Sequence, residues 1–201
     1  MRSDAQANRD LVIRAARRVF SAQGAGAPID EVARQAGVGA ATIYRHFADK
    51  RALIEYVCLD ALKTTARMAR EVAEAEADPA VALESYLDRV LDWGAGSTLS
   101  AVLGELSLTE ELAAAHREHD EAVGALLTAA QRAGAVRPEL STGDVSHLLA
   151  CLARIPGEAA RLRPRYLRLV VDGMRPAPDG ARLPGPAPSH EDMEQLLFKA
   201  P

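Results

Sequence analysis

Thr42, Tyr44, Arg45, His46 and Lys50 bring two hydroxyls, an imidazole, a guanidinium and an ammonium into one short stretch. These groups suit the grip of a polyanion: hydroxyl and cationic donors, helped by free N–H groups at a helix start, hold phosphate oxygens. They do not form a set for breaking bonds. No nucleophile elbow, P-loop or dinucleotide fingerprint occurs anywhere in the chain, so neither an enzyme nor a cofactor is expected. Elsewhere, His116, His119 and Asp120 fall at i, i+3, i+4, a spacing that can hold a metal. No second cluster supports it, and the surrounding AAAHREHDEA reads as a solvated face or the polar edge of a pocket, so no metal is expected. Paired acids such as Glu110 and Glu111 suit the first turn of a helix.

The donors must be held by short helices. Ile29, Val32, Ala33 and Ala36 recur at i, i+3, i+4, i+7 and mark one face of a helix. Pro28 stands where a first turn tolerates a missing N–H, and Gly37 where a helix ends in a left-handed residue. After Gly37-Val38-Gly39 a second run begins, with Val38, Ile43 and Phe47 inward, which leaves Thr42, Tyr44, Arg45 and His46 on an outer face. Asp49 then caps a third helix from Lys50. Two short helices joined by a glycine-containing turn form a helix-turn-helix, a motif whose second helix enters the DNA major groove.

With the upstream residues Ala15-Ala16, Phe20 and Gly24, the run Val32-Ala33, Ala36-Gly37-Val38, Thr42-Ile43-Tyr44, His46-Phe47, Lys50 and Leu53 resembles the DNA-binding domain of the TetR family of bacterial transcriptional regulators. The resemblance covers the first quarter to third of the chain. It implies that Thr42, Tyr44, His46 and Lys50 touch the DNA backbone, with packing inside the small domain as the competing reading for Tyr44 and His46. Base reading is expected from Gly39, Ala40 and Ala41, where this sequence departs from the family's frequent hydroxyl residue at position 39. Glycine there offers no side-chain contact, and the two alanines offer only methyl contacts. Arg45 and Arg34 are then the remaining long donors. The outer arginines of the first helix, Arg9, Arg14, Arg17 and Arg18, lie off its apolar stripe and also read as a solvated face.

Charge is divided along the chain. The net charge of −4 speaks against nucleic acid when taken alone. Residues 1–53, however, hold nine Arg and Lys against five acids, a net of +4, and the remainder holds fifteen against twenty-three, a net of −8. A cationic end on an acidic body directs one face to a polyanion. No apolar run approaches the roughly 18 to 20 residues that span a bilayer, and no secretory h-region opens the chain. Cys58 and Cys151 sit in apolar helical patterns that suit buried, reduced thiols, and a cytoplasmic protein is expected.

The fold expected is all-α with about nine helices. A helix-turn-helix domain over 5–53 extends into a long fourth helix, to about residue 66, which itself continues to about Ala77. A helical effector and dimerisation domain fills 54–175. Further helices are expected over Ala80–Trp93, from a capping box at Ser107-Leu108-Thr109-Glu110 to about Ala133, from a Ser141 or Thr142 cap through Leu152, and over about 164–175; Leu99–Ser107 is short and apolar. Residues 176–201 form a tail rich in proline and glycine, with a short amphipathic stretch over 189–199 that either docks or stays disordered. In its layout the larger domain resembles TetR-family effector domains, which implies a homodimer through the last two core helices. Leu148, Leu149, Leu152, Leu169 and Val170 are the candidates for that interface, against burial within the monomer. Met68, Tyr86, Trp93, Leu103, Leu106 and His147 are candidates to line a pocket for a small, apolar ligand, though each also reads as plain core. The resemblance implies a repressor of a pseudo-palindromic operator on double-stranded DNA, released when a ligand tilts the long helix. The alternatives are a DNA-binding architectural protein with no effector, or an all-α enzyme, for which no catalytic set is present.

Overall fold

The computed structural model describes residues 2–94, 106–155, 157–189 and 192, with side chains from residue 7 onward apart from Gly157. Among these residues there are eight α-helices: α1 (Arg2–Gln23), α2 (Ile29–Ala36), α3 (Ala40–His46), α4 (Lys50–Ala75), α5 (Pro79–Trp93), α6 (Glu110–Arg132), α7 (Thr142–Ala153) and α8 (Arg163–Met174). A 3-10 turn, Gly157–Leu162, leads into α8. No strand occurs among them, and no described helix is long and apolar enough to cross a membrane. Of the apolar segment at 99–107 only Leu106 and Ser107 are described, and most of the stretch at 189–199 lies outside the described residues.

The helix ends follow local chemistry. Asp49 accepts a hydrogen bond from the Ala52 N–H at 2.8 Å and starts α4, and Asp78 does the same for α5 through Ala80. Ser141 and Asp144 exchange bonds in a capping box at α7. The expected box at Ser107 is displaced by two residues. Thr109 caps α6 by accepting from the Leu112 N–H, and Ser107 accepts from Arg51, whose Nη2 donates to it at 3.2 Å. In the corner after α1, Ala25 and Ala27 are buried.

Apolar side chains sort into two clusters. The first joins Val12, Ala16, Val19 and Phe20 of α1 to Val32, Ile43, Phe47 and the α4 residues Leu53 to Leu62, together with Leu106, Leu112 and Ala115. The second joins Ala66, Ala69 and Val72 of α4 to α5, the rest of α6, α7 and α8. The ion pairs Lys63–Glu111 and Arg70–Glu118 show α4 and α6 running side by side in one direction, and Arg89–Glu71 ties α5 to α4.

Between the clusters lies a polar seam of four buried residues, Thr64, Thr65, His116 and His119. The two histidines are therefore not on a solvated face, and no group of three or more potential metal ligands occurs among the described residues. They turn inward because the apolar stripe of α6, which includes Leu112, Ala115, Ala122 and Val123, runs through their face. His119 Nδ1 lies 2.9 Å from Thr65 Oγ1, and that hydroxyl also lies 2.9 and 3.0 Å from the carbonyls of Ala61 and Leu62. Burial pushes the His119 pKa from 6.5 down to about 4; nearby Asp120 opposes the shift and His116 adds to it.

The imidazole protonates in the unfolded chain before it does so in the folded one. Its share of stability is complete above pH 6.5 and is lost as the pH falls toward about 4. Urea unfolding across this window should show a loss on the order of 2–3 kcal/mol that His119→Gln removes. Equal pH slopes for the two proteins would show that His119 titrates normally.

Candidate nucleic-acid interface

The outer face of α3 is set by its turn and its seat. Gly37 closes α2 at φ 69, a left-handed conformation that favours glycine. The Val38 N–H returns to the Ala33 carbonyl at 3.1 Å. Gly39, with φ −77 and ψ 149, is the N-cap of α3 and contributes no side-chain bond. Its carbonyl accepts the Thr42 N–H at 2.8 Å. Ile43 is fully buried and Phe47 nearly so, which fixes the roll of this seven-residue helix.

With that roll, Ala41, Tyr44 and Arg45 are exposed, while Thr42, His46 and Lys50 are half-buried at the edges. Tyr44 is 51% exposed, far more than a tyrosine packed inside the small domain would be. Arg45 Nη2 donates to Thr42 Oγ1 at 2.7 Å, which holds the guanidinium along the helix and leaves its other N–H groups outward. Of the three residues at the helix start, Gly39 and Ala41 face solvent, whereas Ala40 packs against the first cluster. Arg34 is not an open donor. Its Nη2 and Nε lie 2.6 and 2.9 Å from the Glu31 carboxylate oxygens, and that bond holds the Glu31 carboxyl below its usual range.

Two of the arginines assigned to a solvated face are structural. Arg9 donates to Tyr56 Oη at 2.9 Å and lies 4.1 and 5.4 Å from the ring centres of Tyr56 and Phe47. It thereby clamps α1 to α4 and to the residue that ends α3. Arg17 lies over Trp93 and beside Asp60. Aromatic residues are scarce, eight in 201, and scarcity was the available signal that each would have a specific partner. Arg14 and Arg18 remain exposed.

The residues expected to line a ligand pocket do not converge. Tyr86 is buried in the second cluster and Leu106 in the first. Met68 and Trp93 pack against the second, His147 is exposed on α7, and Leu103 lies outside the described residues. His147 faces outward because Val145, Leu149 and Leu152 take the inner face of α7. A described cavity of about 280 Å³ lies instead between α5, the α6–α7 turn and α8, lined by Leu83, Leu87, Val136, Val171 and Met174 among others. The thiols also divide: Cys58 is buried, its pKa pushed up to about 12, but Cys151 is exposed rather than packed.

A helix-turn-helix seated on a helical body, with donors on its outer face, defines a transcriptional regulator of the helix-turn-helix type. Residues 12–57 match the family model for bacterial regulatory proteins of the tetR family, and residues 78–176 match that for the C-terminal domain of SbtR-like transcriptional regulators. A TetR transcription regulatory protein from Mycobacterium vanbaalenii is 35% identical, with a TM-score of 0.60 over 87% of this chain and 98% of its own. A TetR transcriptional regulator from Streptomyces coelicolor is 31% identical, with a TM-score of 0.60 over 84% and 99%. The HTH-type transcriptional regulator UidR of Escherichia coli is 26% identical over 155 residues, 74% of this chain and 79% of its own. The chain belongs to the TetR family of transcriptional regulators, and its relatives are regulators rather than enzymes.

Position 39 offers a direct check of the interface. Its φ is one that any residue adopts, and a Cβ there meets nothing within 4 Å. Gly39→Ser should cap α3, add a few tenths of a kcal/mol of stability and tighten binding to duplex DNA. Unchanged binding in fluorescence anisotropy, with the gain in stability present, would place residue 39 away from the phosphates.

Proposed function

We propose that the chain is a cytoplasmic, ligand-responsive repressor that binds a pseudo-palindromic operator as a homodimer. The observation that carries this reading is a pair of exposed surfaces, the donor face of α3 and an apolar stripe that runs from the end of the 3-10 turn along α8. Leu162, Tyr166 and Leu169 recur at i, i+4, i+7 and are 36%, 37% and 59% exposed, and Gly173 continues the line. An exposed stripe of this kind marks a protein interface. His147 and Cys151 of α7 are also exposed. Of the residues first assigned to the interface, Leu149 and Leu152 are spent in the monomer core and Leu148 and Val170 are half-buried, so Leu169 carries most of the contact.

Thr42, Tyr44, His46 and Lys50 hold phosphates and set register. Ala41 offers a methyl to thymine, the Gly39 backbone allows close approach, and Arg45 forks a guanine or a phosphate. Two such heads meet successive major grooves about 34 to 36 Å apart. The ligand is small and mostly apolar, and the groove between α5 and α8 suits one by its lining. It acts by binding better to a form in which the heads no longer match that spacing.

Selecting duplexes from a random library with the full-length protein, then titrating them with salt and a small-molecule panel, tests the whole reading. A palindromic motif that one compound releases supports it, whereas a motif that no compound disturbs favours a DNA-binding architectural protein. Tyr44→Ala should weaken every duplex by about the same factor, roughly 3- to 10-fold, and a change in sequence preference alone would refute the phosphate assignment. Leu169→Glu should yield a monomer by sedimentation with its helical content intact. A dimer of undiminished stability would place the interface elsewhere.

A further inference from the structure

α5 returns toward the DNA-binding end and stops at Trp93. The indole lies beneath Arg17 of α1, with the guanidinium carbon 4.1 Å from the ring centre. The same guanidinium reaches Asp60 of α4 at 3.8 Å, and the Arg17 side chain is only 20% exposed. Three helices therefore meet on one side chain. Past the α5 end, the chain returns to the described residues at Leu106, buried in the first cluster, and at Ser107, which accepts from Arg51. Thr109 then donates to Glu55 of α4 at 3.3 Å. The described ends of the α5–α6 connection are thus both fastened to the DNA-binding end, one by apolar burial and charge-assisted hydrogen bonds and the other by a cation on an aromatic face.

α1 is also the wall on which α3 is seated, because Ile43 and Phe47 share a cluster with Val12, Ala16 and Phe20. A rotation of α1 about its axis carries α3 with it. We propose that Arg17 is a positioning residue for DNA binding: lodged between Trp93 and Asp60, it sets the angle of α1, and with it the recognition helix, against α5. This deepens the DNA-binding reading of α3 and does not depend on which ligand the protein takes. Because coupling is reciprocal, DNA that fixes α3 also fixes the surroundings of Trp93, and displacement of the α5 end loosens the grip on DNA. Lysine is a poor substitute, since it lacks the planar group that lies flat on the indole.

Trp93 is the sole tryptophan, so its emission reports this joint alone. The test uses the full-length protein and the tightest duplex that it selects from a random library, with anisotropy and tryptophan emission read together. Arg17→Gln and Trp93→Ala should each weaken binding about fivefold with an unchanged salt dependence. The double variant should also lose about fivefold rather than the roughly twenty-five-fold expected of independent sites. Trp93→Phe, which keeps a ring under the guanidinium, should bind within about twofold of wild type. Adding the duplex should shift Trp93 emission in wild type and not in Arg17→Gln. The proposal is overturned if Arg17→Gln flattens the salt dependence while Trp93→Ala binds normally, for Arg17 would then be a phosphate contact. Multiplying losses, or equal emission shifts in wild type and Arg17→Gln, also overturn it. If Trp93→Ala fails to fold, the emission shift and the Trp93→Phe and Arg17→Gln affinities decide. Selection of no duplex at all would remove the DNA-binding reading and this proposal with it, which separates that failure from the others.

Discussion

Leu53, Val57, Cys58 and Leu62 of α4 are buried with α1, α2 and α3, while Ala66, Ala69 and Val72, farther along the same stripe, are buried with α5 and α6. One helix of 26 residues, about 39 Å long, is thus a wall of two cores. The rest of the architecture depends on its continuity, because a break near its middle would leave each apolar patch facing water. The choice of residues suits a rod. No glycine or proline interrupts α4, and the buried Cys58 thiol, whose ionisation burial strongly disfavours, acts there as a small apolar filler.

Where the stripe passes from one core to the other it turns polar. Buried hydroxyls and imidazoles are costly unless they are hydrogen-bonded, and an apolar seam of equal shape would be as stable or more so. What the seam adds is register. The Thr65 hydroxyl has a single hydrogen to share among two carbonyls and His119. When it donates to a carbonyl, His119 must supply its own Nδ1–H, so the tautomer and the sliding position of α6 against α4 are settled together. A slip of α6 by one turn would keep apolar residues in contact but would separate this pair. The register in turn places Leu106 and Leu112 in the first core, and with them the start of α6 against the DNA-binding end.

The helix-turn-helix was legible because its signals are local. Pro28, Gly37 and Asp49 act within a residue or two of where they stand, and the 3.6-residue period of Ile29, Val32 and Ala33 needs no partner to be read. The eight described helices followed from the same kind of signal, whereas the family came from the resemblance of the whole motif. The surroundings of α3 were harder to read. Arg9 and Arg17 look like surface arginines until the fold brings Tyr56 and Trp93 beneath them, 47 and 76 positions along the chain. His116 and His119 sit among charged neighbours in sequence, yet on an α-helix their face is that of Leu112 and Val123. Leu149, Leu152 and Leu169 are alike as letters. Only the packing of α7 and α8 on α5 shows that the first two face the monomer core and the third faces out. Thr109 and not Ser107 caps α6, and the serine's partner is an arginine 56 positions away.

The start of α3 bears on how much sequence this protein can read. Ala40 is turned inward, so the groups free to face base edges there are the Gly39 backbone and the Ala41 methyl, with Arg45 a turn later. A bidentate contact discriminates by about 1–3 kcal/mol. A pair of heads with one such arginine each therefore has less direct readout than a helix bearing three or four polar readers. The donors around it, Thr42, Tyr44, His46 and Lys50, suit phosphates, which add affinity to every sequence equally. In the proposed dimer, selectivity then rests on DNA shape and on whether both heads fit the grooves at once, which is a matter of their separation and tilt. A regulator that reads few bases needs its heads held firmly. In the proposed dimer, the continuous α4, the Arg9 clamp on Tyr56 and Phe47 and the proposed positioning of Arg17 between Trp93 and Asp60 serve that end.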